Sequence, residues 1–351
     1  MKTLYIPVSP TSTSLPNTVH VLVQAPPNFP YSYQNMKFYH PSVGPVPSWY
    51  EGNGIWFVRV PAGVPLQSLY AIVFDSPVLD GQTVGVSPYV QLGYDNGPNV
   101  FNLYTNFQFD NPEIDKWNLV NPGFVLRDPN SGLPTSLQLN TTLLSNLGLN
   151  PNTSAIARVD GPTDYNQVVE LSTSYWINPS YGPLNFYVGL WGFKLQYISQ
   201  IQVDNTGVYA SSFAPSPVGG VEVQYAANGI IVLYGSDAMA VYTSGLLPQP
   251  NATVNLFFQA YFLQNSISAY YTTSNSFFTS GVYNTNQLTP SFTYQSSSPL
   301  PNNGDIFVYG FGRYGYNGWY STDFSNTYWI RVRGVLPSGQ TPIGQIQLPM
   351  P

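Results

Sequence analysis

Short apolar runs alternate with turn-forming residues along the whole chain, and helical spacing is nearly missing. TVHVLVQA (18–25), IWFVRV (55–60), GVEVQYA (220–226), GIIVLYG (229–235), NLFFQAYF (255–262) and TYWIRVRGV (327–335) are rich in Val, Ile, Tyr and Phe, side chains that suit a pleated, half-buried surface. GNG, DNGPN, DPNSG and PNNG punctuate them and supply the backbone angles of tight turns. In QYAANGIIVLY the pair Asn228-Gly229 predicts a hairpin. Only PTSLQLNTTLLSNLGLN (134–150) offers a short helix, and it reads equally as a pair of strands. Many short strands at regular spacing predict an all-β fold of sandwiches or jelly rolls.

The texture changes near residue 108. Before it lie proline-dense stretches such as VQAPPNFPYSY; after it come longer strands rich in Ser, Thr, Asn and Tyr. The expected division is an N-terminal β-sandwich over 1–108, a jelly roll over 109–337, and a C-terminal tail over 338–351. With 351 residues the chain is long enough for two such units.

Composition sharpens this picture. Charged residues make up 7% of the chain and aromatics 16%, with 28 Tyr. Disordered chains are built the other way, so this one folds, and its surface is made of uncharged polar groups and rings. Only 10 basic and 16 acidic side chains are present. Acid unfolding works mainly through carboxylates that must protonate, so the composition suits an acidic, hot, extracellular medium; a neutral secreted β-protein is the alternative. No cysteine is present, which excludes disulfides, thiolate zinc and thiol catalysis. Basic patches are missing, against nucleic acid as a partner. GIIVLYG is too short to span a membrane, and MKTLYIPVSP lacks the apolar core of a signal peptide. An extracellular composition without a leader leaves two expectations: a leader already removed, or exit from the cell inside a virus particle.

The order of motifs in the first third resembles domain of unknown function 2341 of archaeal and bacterial surface proteins. Phe38 and Tyr39 stand at that family's apolar pair, and Pro47, Trp49 and Glu51 at its Pro-Trp-Glu signature. Trp56, Val58, Arg59 and Pro61 match the strand after it, Asp95-Asn96-Gly97 its glycine turn, and Trp117 the end of a bridging segment. TYWIRVRGVLPSG (327–339) resembles its closing strand. Two departures stand out: Tyr104-Thr105-Asn106-Phe107 replaces an acidic bridge, and Tyr328-Trp329 replaces Asp-Trp. The resemblance implies a sandwich followed by a concanavalin/laminin-G-like jelly roll in a cell-surface or virion-surface setting. It implies no reaction.

Candidate chemistry is sparse. Glycoside hydrolysis needs two acids on one face, roughly 5–9.5 Å apart. The acids to consider are Asp110, Glu113, Asp115, Asp160, Asp164, Glu170 and Glu222, and no evident strand carries two of them at alternate positions. The acid-rich loops DNPEIDKW and DGPTD offer oxygens for Ca²⁺, or simply cap turns. No other cofactor is expected. His20 and His40 are the two histidines, and neither adjoins a serine elbow. Asn140, Asn152 and Asn251 open glycosylation triplets.

GFGRYGYNGWYSTDF (310–324) sets Arg313, Tyr314, Tyr316, Asn317, Trp319 and Tyr320 among glycines. Rings with adaptable polar neighbours are the composition of binding loops, and they also suit subunit interfaces. The stretch reads as a lid over the core's open end, a subunit interface or a glycan platform, with lid or interface ranked first. Together these features predict a non-enzymatic outer-surface structural or attachment protein. Its expected setting is a virion of a thermoacidophilic archaeon, with neighbouring subunits (a homo-oligomer) or host glycans as partners. A cellular adhesin or filament subunit, and a secreted jelly roll that binds or hydrolyses glycans, are the alternatives.

Overall fold

The computed structural model describes residues 1–91, 93–119, 123–140, 153–158, 165–176, 186–193, 202–204, 207–209, 222–226, 230–234, 240–244, 253–272, 292–295, 306–313 and 324–349. The expected all-β fold is what these residues form. Helix among them is limited to the four residues Gly97–Val100 and two short 3₁₀ turns. In the stretch where a short helix was one of two readings, Pro134–Asn140 is a strand; 141–150 lies outside the described residues. Strands Glu222–Ala226 and Ile230–Tyr234 pair antiparallel, with Tyr225 opposite Ile231, as the hairpin reading requires; Asn228-Gly229 itself lies outside the described residues.

Two sheets build the N-terminal sandwich. The first runs in the order Lys2–Ile6, Leu69–Val73, Met36–His40, Gly44–Val46. Along its longer strands Leu4, Phe38 and Ala71 point inward while Tyr5, Tyr39 and Tyr70 point outward. The second sheet runs Val8–Ser9, Ile343–Gln345, Val19–Gln24, Ile55–Val60, Ser48–Gly52, Val84–Val86. Val19, Val21, Val23, Trp56 and Val58 from this sheet share one core with Leu4, Phe38, Leu69 and Ala71 from the first. The segment 338–351, set apart as a tail in the sequence, supplies a strand here. Ile343–Gln345 pairs antiparallel with Val8–Ser9 and parallel with Val19–Gln24, and Ile346 is buried in the core.

The strand Val19–Gln24 is buried at five consecutive positions, so it is covered on both faces. Leu22, Trp49 and Phe57 on the second face pack against Val100, Phe101 and Tyr104. Leu103–Asn106 pairs in turn with Phe324–Gly334 of the larger sandwich.

Among the described residues that larger part has two long antiparallel sheets, besides the two-stranded pair Gln202–Asp204 and Gly207–Tyr209. One runs Gly123–Arg127, Pro134–Asn140, Phe324–Gly334, Gln167–Trp176, Val254–Phe262, Ser266–Thr272, Phe292–Gln295, with Leu103–Asn106 also on Phe324–Gly334. The other runs Trp117–Leu119, Thr153–Arg158, Ile306–Arg313, Phe186–Phe193, Glu222–Ala226, Ile230–Tyr234, Ala240–Ser244. Consecutive strands pass from sheet to sheet at 140–153, 158–167, 176–186 and 313–324, which is jelly-roll crossing. In the first sheet Asn140, Trp176 and Phe324 lie side by side at one end. In the second, Thr153, Phe186 and Arg313 gather likewise at one end. Three of the crossings join these two ends. At the opposite end of the first sheet Gln167 faces Gly334, beside the N-terminal sandwich: the Gly334 N–H donates to His20 Nδ1 at 2.8 Å.

Candidate functional site

The fully buried ion pairs among the described residues converge where the two sandwiches meet. Glu170 sits midway along Gln167–Trp176, with Arg331 opposite it on one side and Gln259 on the other. Directly opposed residues on one face of a sheet are neighbours, so register alone brings the three together. Arg331 Nε donates to Glu170 Oε2 at 2.5 Å, Arg333 Nε to Glu170 Oε1 at 3.0 Å, and Gln259 Nε2 to the same Oε1 at 2.6 Å. Arg331 Nη1 then reaches across the seam and donates to both oxygens of Glu51, each at 3.0 Å. Arg333 continues to Thr341 Oγ1 at 2.5 Å and to the Tyr261 hydroxyl at 3.2 Å. Glu51, Glu170, Arg331 and Arg333 are all at most 3% exposed.

Rings close over the cations. The Arg331 guanidinium carbon lies 4.9 Å from the Phe57 ring centre, 5.1 Å from Phe101 and 4.9 Å from Trp329. Arginine's weakly hydrated planar group tolerates such a site. Burial would lift Glu170, but Arg333 and Arg331 outweigh it and hold the carboxyl at about 2. Burial would lower Arg331; Glu51 and Glu170 instead raise it above its ordinary value. Burial pushes Glu51 upward against the pull of Arg331. A carboxylate locked between two guanidiniums has no proton to give and is poorly placed to take one. The cluster ties a strand of the N-terminal sandwich to the jelly roll.

Two further groups lie in the seam. His20 is fully buried, its Nε2 2.7 Å from the Val100 carbonyl oxygen and its Nδ1 accepting from Gly334. Burial first, with Arg59 and Arg333, lowers it to about 3. Asp95 accepts from the Gly97 N–H at 3.0 Å and from the Tyr104 hydroxyl at 2.9 Å. Burial, with Glu51, raises it to about 6.

Farther along the same face the groups turn polar and uncharged. Gln138 Nε2 donates to Asn326 Oδ1 at 3.1 Å, and the Ser174 and Tyr328 hydroxyls are 2.9 Å apart.

Of the residues singled out in the aromatic stretch, Arg313 ends the strand Ile306–Arg313 opposite Phe186. Tyr314, Tyr316, Asn317, Trp319 and Tyr320 lie outside the described residues. Asn140 ends its strand opposite Phe324; Asn152 and Asn251 lie outside. Among the hydrolase candidates, Asp110 pairs with Arg127 at 3.0 Å and Glu113 with Lys116 at 2.8 Å, Asp115 is exposed, and Glu170 is the arginine-held acid above. Glu222 stands on a strand of the other sheet, while Asp160 and Asp164 lie outside the described residues. Among the described residues no group of three or more His, Asp or Glu side chains could hold a metal ion. No helix of the described residues is long and apolar enough to cross a membrane.

The seam was missed as a site in the sequence, although one signal pointed to it. In a chain so poor in charge, Glu170 stands in VVELS and Arg331 and Arg333 in WIRVRG, runs that otherwise read as buried strand.

No family model and no curated protein matches the chain, the order of motifs resembling domain of unknown function 2341 included. Among solved structures it is similar to lectin II from Ulex europaeus, at 11% identity and a TM-score of 0.40, over 66% of this chain and 99% of that one. It is similar to the Ca²⁺-bound exoplasmic/lumenal domain of VIP36, at 7% and 0.38, over 67% and 91%. A glycosyl hydrolase family protein from Mycobacterium fortuitum is similar at 10% and 0.36, over 66% and 99%.

Proposed function

We propose that this is a non-enzymatic attachment protein of an outer surface. The N-terminal sandwich (1–108 with the returning C-terminal strand) is the mount, and the jelly roll presents its far end to an uncharged, hydroxyl-rich ligand, a surface glycan. One observation carries the reading. The strand Phe324–Gly334 has its last residue in the seam and its first at the end where the ring-rich segment 314–323 begins and finishes. Ten strand steps separate the two, roughly 33 Å. Tyr and Trp offer flat apolar faces for sugar C–H groups, and Asn, Ser and Thr offer hydrogen bonds without a charge. Glu51 and Glu170, the acids of the seam cluster, are paired with arginine, which favours binding over hydrolysis.

A second role, packing against neighbouring subunits, is favoured by the outer face of the four-stranded sheet. Tyr5, Tyr70 and Tyr39 stand opposite one another across three strands, the last two stacked at 5.2 Å, and Tyr5 is 53% exposed. A virion exterior and a cell surface are both settings in which such a mount is useful.

A glycan array probed with the intact protein at neutral and acidic pH tests the proposal. Binding should appear in the wild type and vanish in Trp319→Ala and Tyr316→Ala, with the melting temperature unchanged. An array that stays blank, with self-association of the wild type weakened by Tyr39→Ser and Tyr5→Ser in sedimentation, would replace glycan binding by the subunit role.

A further inference from the structure

We infer that the sheet face beyond the seam is itself a ligand site: a line of uncharged amides and hydroxyls, Gln138, Asn326, Ser174 and Asn255 with Tyr328 beside them, that takes the hydroxyl groups of a neutral oligosaccharide. The inference rests on the glycan reading above, and it places the part that reads sugar hydroxyls on the sheet rather than in the segment 314–323.

Register builds the line. Gln138 stands opposite Asn326, Asn326 opposite Ser174, and Ser174 opposite Asn255, so four neighbouring strands set one residue each side by side on one face. Three strand spacings make the line about 14 Å long. Gln138, Asn326, Tyr328 and Asn255 are all partly exposed. The Gln138 amide donates to Asn326 Oδ1 at 3.1 Å, and the Tyr328 hydroxyl lies 2.9 Å from that of the buried Ser174. These bonds fix the side chains before a ligand arrives. The first engages the Asn326 carbonyl and not its amide donors.

A bulge supplies Tyr328. Between Ser172 and Thr173 the pairing partner jumps from Trp329 to Thr327, which leaves Tyr328 as the extra residue. Consecutive residues of a regular strand face opposite sides. Here Trp329 lies 4.9 Å from the Arg331 guanidinium and Tyr328 reaches Ser174, so both serve the seam face. Bulges re-aim side chains in this way beside functional sites. Rings border the line on both sides. Trp176, partly exposed, stands two residues beyond Ser174 on the same face, and toward the seam Trp329 packs on Phe257 at 5.9 Å. Apolar ring faces suit sugar C–H groups, while amides and hydroxyls both donate to and accept from sugar hydroxyls. No member of the line is charged, and Arg331 and Glu170, which follow on this face, are paired with each other. A neutral ligand is what such a line complements.

The test uses an array of neutral, sialylated and sulfated glycans, probed with Asn326→Ala, Asn255→Ala and Tyr328→Phe beside the wild type and Trp319→Ala, the fold of each checked by its melting temperature. The wild type should prefer neutral members. Each of the three line variants should bind them about three- to tenfold more weakly, with the order of preference among them changed. Tyr328→Phe removes one hydroxyl and keeps the ring, so it still decides should an alanine variant not fold. Wild-type binding that Trp319→Ala abolishes and the line variants leave intact overturns the inference, while the glycan reading stands. A preference for sialylated or sulfated members overturns the inference as well. A blank array for the wild type overturns both.

Discussion

Replacing Glu170 by Gln removes one charge from the centre of the seam while keeping the side chain's shape and one acceptor oxygen, so no cavity is opened. The carboxyl is held at about 2 in the fold against an ordinary 4.5. That difference corresponds to about 3 kcal/mol of stabilisation of the ionised form, at 1.36 kcal/mol per pH unit. Because the folded value is depressed, this contribution is complete above pH 4.5 and is lost as pH falls through about 2. That figure already contains what Arg331 and Arg333 lose when their shared anion goes. Glu170→Gln should therefore be destabilised by about 3 kcal/mol at pH 7. In urea, read by tryptophan fluorescence, this lowers the midpoint by roughly 1 M or more. The gap should narrow steadily below pH 4.5 and approach zero near pH 2. A gap below about 1 kcal/mol at pH 7 would mean that the two arginines do not hold the carboxylate as described. A gap of constant size from pH 7 to 2 would refute the ionic origin of the stabilisation.

Arg331→Met leaves Glu51 buried without its bidentate partner and should cost about 3–5 kcal/mol in urea denaturation; adding Glu51→Leu should recover most of this, and a double variant no better than the single would show that the pair is not what joins the sheets. Gly334→Ala would set a methyl carbon 1.7 Å from the Thr18 carbonyl oxygen and 2.8 Å from its carbonyl carbon. Backbone cannot give way there, so the melting temperature should fall by several degrees, and small-angle scattering should report a longer particle. An unchanged melting temperature would place Gly334 outside a tight seam.

Much of the architecture was legible in the chain, because β-structure writes itself locally. Alternation in MKFYH and LYAIV marks one buried and one exposed face, and it needs no knowledge of partners. The all-β class and the change of texture near 108 come from such local signals. The site was not legible in the same way. Glu51 and Arg331 are 280 positions apart, and only strand order and register decide that they meet. The strand Ile343–Gln345 is too short to declare itself, and it exists because Val8–Ser9 and Val19–Gln24 leave a gap for it. Sequence alone settled which side chains prefer a pleated sheet and how few charges there are to place. Tertiary structure decided where those few charges went, since an ion pair survives burial only where long-range packing brings its partners and their hydrogen bonds to one point.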